Sequence, residues 1–360
     1  MMQQPQSPAT DGEPLFRTRI TELYGIRLPV IASGLMWLAN ADYVGAAVNA
    51  GLMGFMTSAS FPDPGDLRKE IRRCREITRG KPFGVNIGVQ AADKSEERIA
   101  RVLDIVIGEG VRFVETYGHN PQALLPRLQD AGIKVLHKVP AVRFARKAQS
   151  VGVDAVTVIG AEAGGHPGMD LVGTMVQAGI AARDITIPLI VAGGIGTGAH
   201  LVAALALGAD GVAIGTRFLV AEEIWAHRSY KERLVGLDET QTALILGSLR
   251  KTQRTLANEK AKLVAALERE HGGDIEMLFP HIAGKLARRA YETGDYEQAV
   301  LSLGQSVAYA DRIEPLADIV ARLEDEARAA LARLDSLRVV PETARTPLEA
   351  VAKKTRRGRG

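Results

Sequence analysis

The chain has one cysteine, Cys74, in 360 residues, so an internal disulfide cannot form. No Cys/His cluster shows metal-ligand spacing, and no metal is expected. Apolar runs long enough to span a bilayer are missing, so a membrane-spanning protein is not expected. Residues 1–14 are polar, rich in Gln and Pro, and lack the apolar segment of a signal peptide; they are expected to form a disordered leader. With no disulfide framework and no export signal, the expected setting is the reducing cytoplasm. The formal net charge is only +3, and much of the excess sits in Lys353, Lys354, Arg356, Arg357 and Arg359. No aromatic residue interleaves with these cations, so residues 341–360 read as a solvated basic tail and not as a nucleic-acid or membrane contact.

What is present is a globular composition, 46% hydrophobic and 24% charged, in a chain long enough for a full core. Short apolar runs recur at Leu28–Ala32, Gly54–Thr57, Phe83–Ile87, Phe113–Thr116, Lys134–Val139, Ala155–Ile159, Leu189–Ala192 and Gly211–Ile214. Each is followed by a small or polar residue and then by helical periodicity, which is the punctuation of βα units. Their lack of strict alternation suits parallel strands covered on both faces. Glycines at 51, 132, 152 and 208 occupy helix-stop positions. These units predict an α/β fold, a (β/α)8 TIM barrel over 15–222, with a mainly helical addition. The addition divides into a helical cap at 223–294 and C-terminal helices at 295–340 that return to the barrel. No strand is expected after Glu222; helices are expected at 252–270 and 313–337, the second with an apolar face of Ile319, Leu323, Ala327, Ala330, Leu334 and Leu337.

In such barrels the reacting groups lie where the chain leaves the C-terminal ends of the strands. Here those ends carry Ser33-Gly34, Thr57-Ser58, Asn86, Lys138, Gly164-Gly165-His166, Ala192-Gly193-Gly194 and Gly215-Thr216. Gly193-Gly194 after the seventh run and Gly215-Thr216 after the eighth form a candidate phosphate cradle, because glycine lets main-chain N–H groups face an anion unobstructed. The loop Gly160–Gly168 surrounds one imidazole, His166, with glycines; it can lie flat against a planar ligand and present a single base or electrostatic partner. Lys138 supplies a positive charge on the same rim. His119 is a secondary candidate for lining the pocket, and His137, on the other face of its strand, is expected to be structural. His200, His227, His271 and His281 are assigned no chemistry.

The segments Gly160-Ala161-Glu162-Ala163-Gly164-Gly165-His166-Pro167-Gly168, Ala192-Gly193-Gly194-Ile195, Gly208 to Phe218 and Lys81-Pro82-Phe83-Gly84-Val85-Asn86 resemble the nitronate monooxygenase family, formerly the 2-nitropropane dioxygenases. That family has flavin-dependent NADH:quinone reductases and FMN-containing enoyl-ACP reductases among its relatives. The resemblance implies non-covalent FMN, with His166 near the reactive face of the flavin as the catalytic residue. Gly193, Gly194, Gly215 and Thr216 would hold the phosphate, with Ala192 beside them. Gly34, Leu35, Asn86, Lys138, Gly164 and Gly165 would contact the rest. It implies oxidation of alkyl nitronates by O2 to carbonyl compounds and nitrite; the alternative is NAD(P)H-driven hydride transfer through FMN to a quinone or an enoyl thioester. The chain reads Ala32-Ser33-Gly34-Leu35-Met36 where the family usually has Gln, small residues and Met, which implies a different hold on the pyrimidine edge of the flavin. The substrate, the oxygenase or reductase direction, and whether the protein forms a homo-oligomer are left open by the sequence.

Overall fold

The structure, a computed structural model, describes residues 14–89 and 96–339. The expected basic tail, and the expected leader apart from Pro14, lie outside the described residues. Eight strands, β1 (Val30–Ala32), β2 (Met53–Thr57), β3 (Gly84–Val89), β4 (Phe113–Gly118), β5 (Lys134–Val139), β6 (Ala155–Ile159), β7 (Leu189–Ala192) and β8 (Gly211–Ile214), pair in parallel in chain order. β8 also pairs with β1, so the barrel is closed. Each strand is followed by helical crossover structure, and the helix starts are set by side-chain caps: Asn40, Asp63 and Thr197 each accept a main-chain N–H of the first turn. Gly51, Gly132, Gly152 and Gly208, the expected helix stops, all have positive φ.

Two apolar layers result. The larger lies between the strands and the helices. The smaller fills the barrel interior with Ile31, Met53, Phe55, Phe113, Leu136, Ala155, Ile190 and Ala213. Ile20 and Tyr24 of the first helix, Arg19–Tyr24, join this interior cluster; Tyr24 packs edge-on against Phe113 at 4.9 Å and Phe55 at 6.2 Å. Because side chains alternate along a strand, the residues two further on must form the next interior layer. They are Ser33, Thr57, Glu115, Lys138, Thr157, Ala192 and Gly215, with Asn86 two beyond Gly84, whose missing side chain makes room for the Phe55 ring. The layer toward the C-terminal rim is therefore polar, whereas the one beneath it is apolar.

The addition is mainly helical, but two strands lie within it, contrary to the expectation of none after Glu222. β9 (Thr242–Ile245) and β10 (Gln253–Leu256) form an antiparallel hairpin. The helix expected over 252–270 therefore begins only at Glu259, where Asn258 accepts the Ala261 N–H, and runs to His271. The reason is tertiary: β10 pairs with β9, Gly165 and Ser302, partners remote in sequence.

The last helix, Leu316–Leu337, packs on the barrel helix Gly198–Ala206. Its apolar face is only partly used: Ile319, Leu323 and Ala327 are buried, but the helix continues past them and leaves Leu334 and Leu337 in solvent. The contact is backbone on backbone at Gly198, where an added Cβ would stand 2.0 Å from the Leu323 carbonyl oxygen and 2.3 Å from the Ala327 nitrogen. Gly198→Ala is therefore expected to cost about 1–3 kcal/mol, as over-packing of a tight core contact does. Urea unfolding, with Gly179→Ala as the control because its Cβ would meet open space, measures it. Among the described residues no helix is long and apolar enough to cross a membrane.

Candidate active site

The polar interior layer forms the floor of the site. Glu115 is fully buried at the centre of β4, and one of its oxygens, Oε2, accepts from both Asn86 Nδ2 and Lys138 Nζ, the latter at 3.3 Å. Lys138 also lies over the Tyr117 ring, at 5.9 Å from its centroid. Three buried oxygens of this layer, Thr57 Oγ1, Glu115 Oε1 and Thr157 Oγ1, have no partner. An unpaired buried polar atom costs roughly 1–3 kcal/mol, so three in one layer fit a polar ligand resting on it. Gly34 continues this floor: a Cβ there would stand 2.9 Å from Asn86 Cγ and 3.0 Å from Thr57 Oγ1.

The wall above β7 and β8 is built of main chain. Gly193 and Gly194 adopt φ of 103° and 72°, which side chains rarely tolerate. Among the described residues no protein acceptor meets the N–H groups of Gly193, Gly194, Ile195 or Gly215. Thr216 Oγ1 accepts the Gly304 N–H at 2.9 Å, which leaves its own hydrogen free to donate. Leu35 closes this side, with Cδ2 3.3 Å from where a Gly215 Cβ would be. At the start of the helix Gly198–Ala206, Glu326 accepts the Gly198 N–H at 2.7 Å and Thr197 Oγ1 the His200 N–H at 3.3 Å; the short 3-10 turn Thr216–Val220 follows Gly215.

The loop after β6 crosses between floor and wall. Glu162 accepts the N–H and hydroxyl of Thr174, and Gly164 lies against Gly304 so closely that a Cβ would stand 2.7 Å from its nitrogen. His166 is exposed to solvent, with enough protein around it to desolvate the ring in part. That crowding by protein, and then the charge of Lys251, push its pKa below the ordinary histidine range.

The structure brings together Gly34, Leu35, Asn86, Lys138, Gly164, Gly165, Gly193, Gly194, Gly215 and Thr216 on one rim, with Ala192 on the interior wall. His119, just past the end of β4, is exposed, and its N–H donates to the Val89 carbonyl at 2.9 Å. His137 faces away from the interior, pairs with Thr116 Oγ1 at 2.8 Å, and is pushed down to about 4 by burial. Thr57 was placed at a strand end by sequence reasoning but given no role there; Glu115, Thr157, Thr174, Arg254 and Gly304 were missed. Glu115 was findable, because a carboxylate inside a strand buried on both faces needs a partner. His200, assigned no chemistry, accepts the Gly196 N–H at 3.2 Å and so supports the glycine turn from below.

A family model for nitronate monooxygenase matches residues 17–326. The chain belongs to the nitronate monooxygenase family. As members of that family are, it is an enzyme, an oxidoreductase. It is 38% identical over 248 residues to the (3aS,4S,5R,7aS)-5-hydroxy-7a-methyl-1-oxo-octahydro-1H-indene-4-carboxyl-CoA dehydrogenase of Mycobacterium tuberculosis, with 68% of each chain covered. Among solved structures it is similar to FabK from Thermotoga maritima, with a TM-score of 0.81 and 32% identity over 89% of this chain and 99% of that one. It is also similar to nitroalkane oxidase from Streptomyces ansochromogenes, with a TM-score of 0.73 and 25% identity over 88% of this chain and 100% of that one.

Proposed function

We propose that this protein is an FMN-dependent oxidoreductase that oxidises a substrate at a carbon made acidic by a neighbouring electron-withdrawing group, with a carboxyl-CoA thioester as the substrate class. The observation that carries the reading is the environment of His166. A depressed pKa keeps the imidazole neutral at neutral pH, which suits a base that removes a proton from a neutral C–H acid. The 38% identity to a carboxyl-CoA dehydrogenase supports the thioester.

The residues present fit a mononucleotide. Gly193, Gly194, Gly215 and Thr216 would hold its phosphate, where main-chain donors and one hydroxyl lack protein acceptors. Gly34, Leu35, Asn86, Lys138, Gly164 and Gly165 would border the ring system, with Ala192 beneath, over a floor whose unpaired oxygens offer both donors and an acceptor. Bound FMN would supply the two-electron acceptor. His166 takes the proton, Lys251 adds positive charge beside the carbanionic character that develops, and residues 223–294 act as a cap that excludes water.

A second reading, nitronate oxidation with O2, is favoured by the family match and by Lys251, whose ammonium suits an anionic substrate. The experiment is anaerobic mixing of the purified yellow protein with an alicyclic acyl-CoA, a nitronate, and NADH in turn. Bleaching of the flavin absorbance by the thioester is the expected result. Bleaching by the nitronate alone would transfer the assignment to the second reading, and rapid bleaching by NADH would point to NAD(P)H-driven reduction of a quinone or enoyl thioester. A colourless protein that takes up no added FMN would overturn all three.

A further inference from the structure

The loop that carries His166 contains Gly160, Gly164, Gly165 and Gly168, and glycine has the least conformational preference of any residue. Such a segment cannot hold an imidazole still by itself. A residue from the addition holds it at two points. Arg254, on β10, is 9% exposed; its Nε–H donates to the Ala161 carbonyl at 2.9 Å, near the start of the loop. Its main-chain N–H donates to the Gly165 carbonyl at 2.7 Å, and its own carbonyl accepts the Gly165 N–H at 3.0 Å, next to His166. Nη1 donates to Thr242 Oγ1 at 2.9 Å, tying the guanidinium back to β9. One side chain and its own peptide groups thus span the loop from Ala161 to Gly165, a reach that no residue of the barrel matches among the described contacts.

We propose that Arg254 is a positioning residue for His166: it fixes the backbone on both sides of Glu162–Gly164 and so aims the imidazole, without touching substrate or cofactor. The proposal rests on the reading of His166 as the base. Removing the guanidinium frees the Ala161 end and leaves the Gly165 pairing, so the loop should loosen while the fold stays intact. Misplacement of a reacting group by about 1 Å costs on the order of 100-fold in rate.

The test compares Arg254→Met, Arg254→Lys and His166→Asn in the holoenzyme. For Arg254→Met we expect kcat to fall about 10- to 100-fold with KM and the FMN dissociation constant little changed. The acid limb of the kcat/KM profile should move toward the ordinary histidine pKa as the imidazole is uncrowded, and hydrogen exchange should quicken in the peptide spanning 160–168. Arg254→Lys, which keeps one donor, should recover part of the rate. Unchanged kcat, pH profile and exchange would overturn the proposal, and so would a loss of rate accompanied by an equal loss of FMN binding and Tm, which marks a merely structural role. Should Arg254→Met not fold, Arg254→Lys decides alone: a lower kcat at unaltered Tm supports the proposal and wild-type kcat refutes it. Full turnover in His166→Asn would instead remove the base, and the proposal with it.

Discussion

His166→Asn should lower kcat by about 10²- to 10⁴-fold, the usual contribution of a positioned general base, while FMN remains bound at wild-type stoichiometry. Asn keeps a polar side chain of similar reach but cannot take a proton. The accompanying pH profile carries the sharper information. Because the folded protein holds the imidazole below its ordinary pKa, the neutral, active form persists to lower pH than a free histidine would allow. Wild-type kcat/KM should therefore rise with pH through a value below about 6.5 and then level off. Lys251 is one cause of that depression, so Lys251→Met should move the rise toward higher pH. Steady-state rates across pH, with flavin content measured spectrophotometrically, check both. A profile unaltered in Lys251→Met would mean that crowding alone sets the pKa, and a turnover unaltered in His166→Asn would remove the imidazole from the chemistry.

The second large effect concerns the floor. Glu115→Leu removes the carboxylate that, among the described residues, alone meets Lys138, and leaves an ammonium whose side chain is 16% exposed without that counter-charge. Breaking a buried pair by deleting one partner typically costs about 3–5 kcal/mol, and the Asn86 amide loses its acceptor as well. We expect a loss of unfolding free energy of that order, seen as a lower urea midpoint, and a preparation low in FMN. Glu115→Gln, which preserves shape and one acceptor, should sit between, and the double change Glu115→Leu with Lys138→Met should recover part of the loss, because no unpaired charge is left. Unfolding curves and the flavin-to-protein absorbance ratio give the answer. A Glu115→Leu protein as stable and as yellow as the wild type would show that the pair carries neither stability nor cofactor.

Much of this architecture was legible beforehand, and the reasons differ by element. β5, β6, β7 and β8 begin and end where the runs read from the sequence do; strands covered on both faces read as near-continuous apolar runs, and β5 keeps its limits although it carries Lys134, His137 and Lys138. Gly193, Gly194 and Gly215 could be assigned to one rim from chain order alone, since every βα unit delivers its loop to the same end of the barrel. β9 and β10 could not be found in this way. The run Gln253–Leu256 is too polar to declare itself, and it is extended because β9, Gly165 and Ser302 satisfy its backbone from both edges. Arg254 was invisible for the same reason, lying 93 residues from the carbonyl that its guanidinium meets.

By itself, then, the sequence determined the eight-fold repetition of strand and helix, the end of the barrel that carries the glycines, and the single histidine among them. These depend on local pattern, on hydrophobic period and on the backbone freedom of glycine, all of which operate within a few residues. Only the tertiary structure decided that Glu115 binds Asn86 and Lys138, that Thr57 and Thr157 stand unpaired beside it, and that a distant hairpin grips the His166 loop. Those facts depend on which side chains share a layer after closure, and closure brings together strands whose order in space follows from the chain but whose register does not.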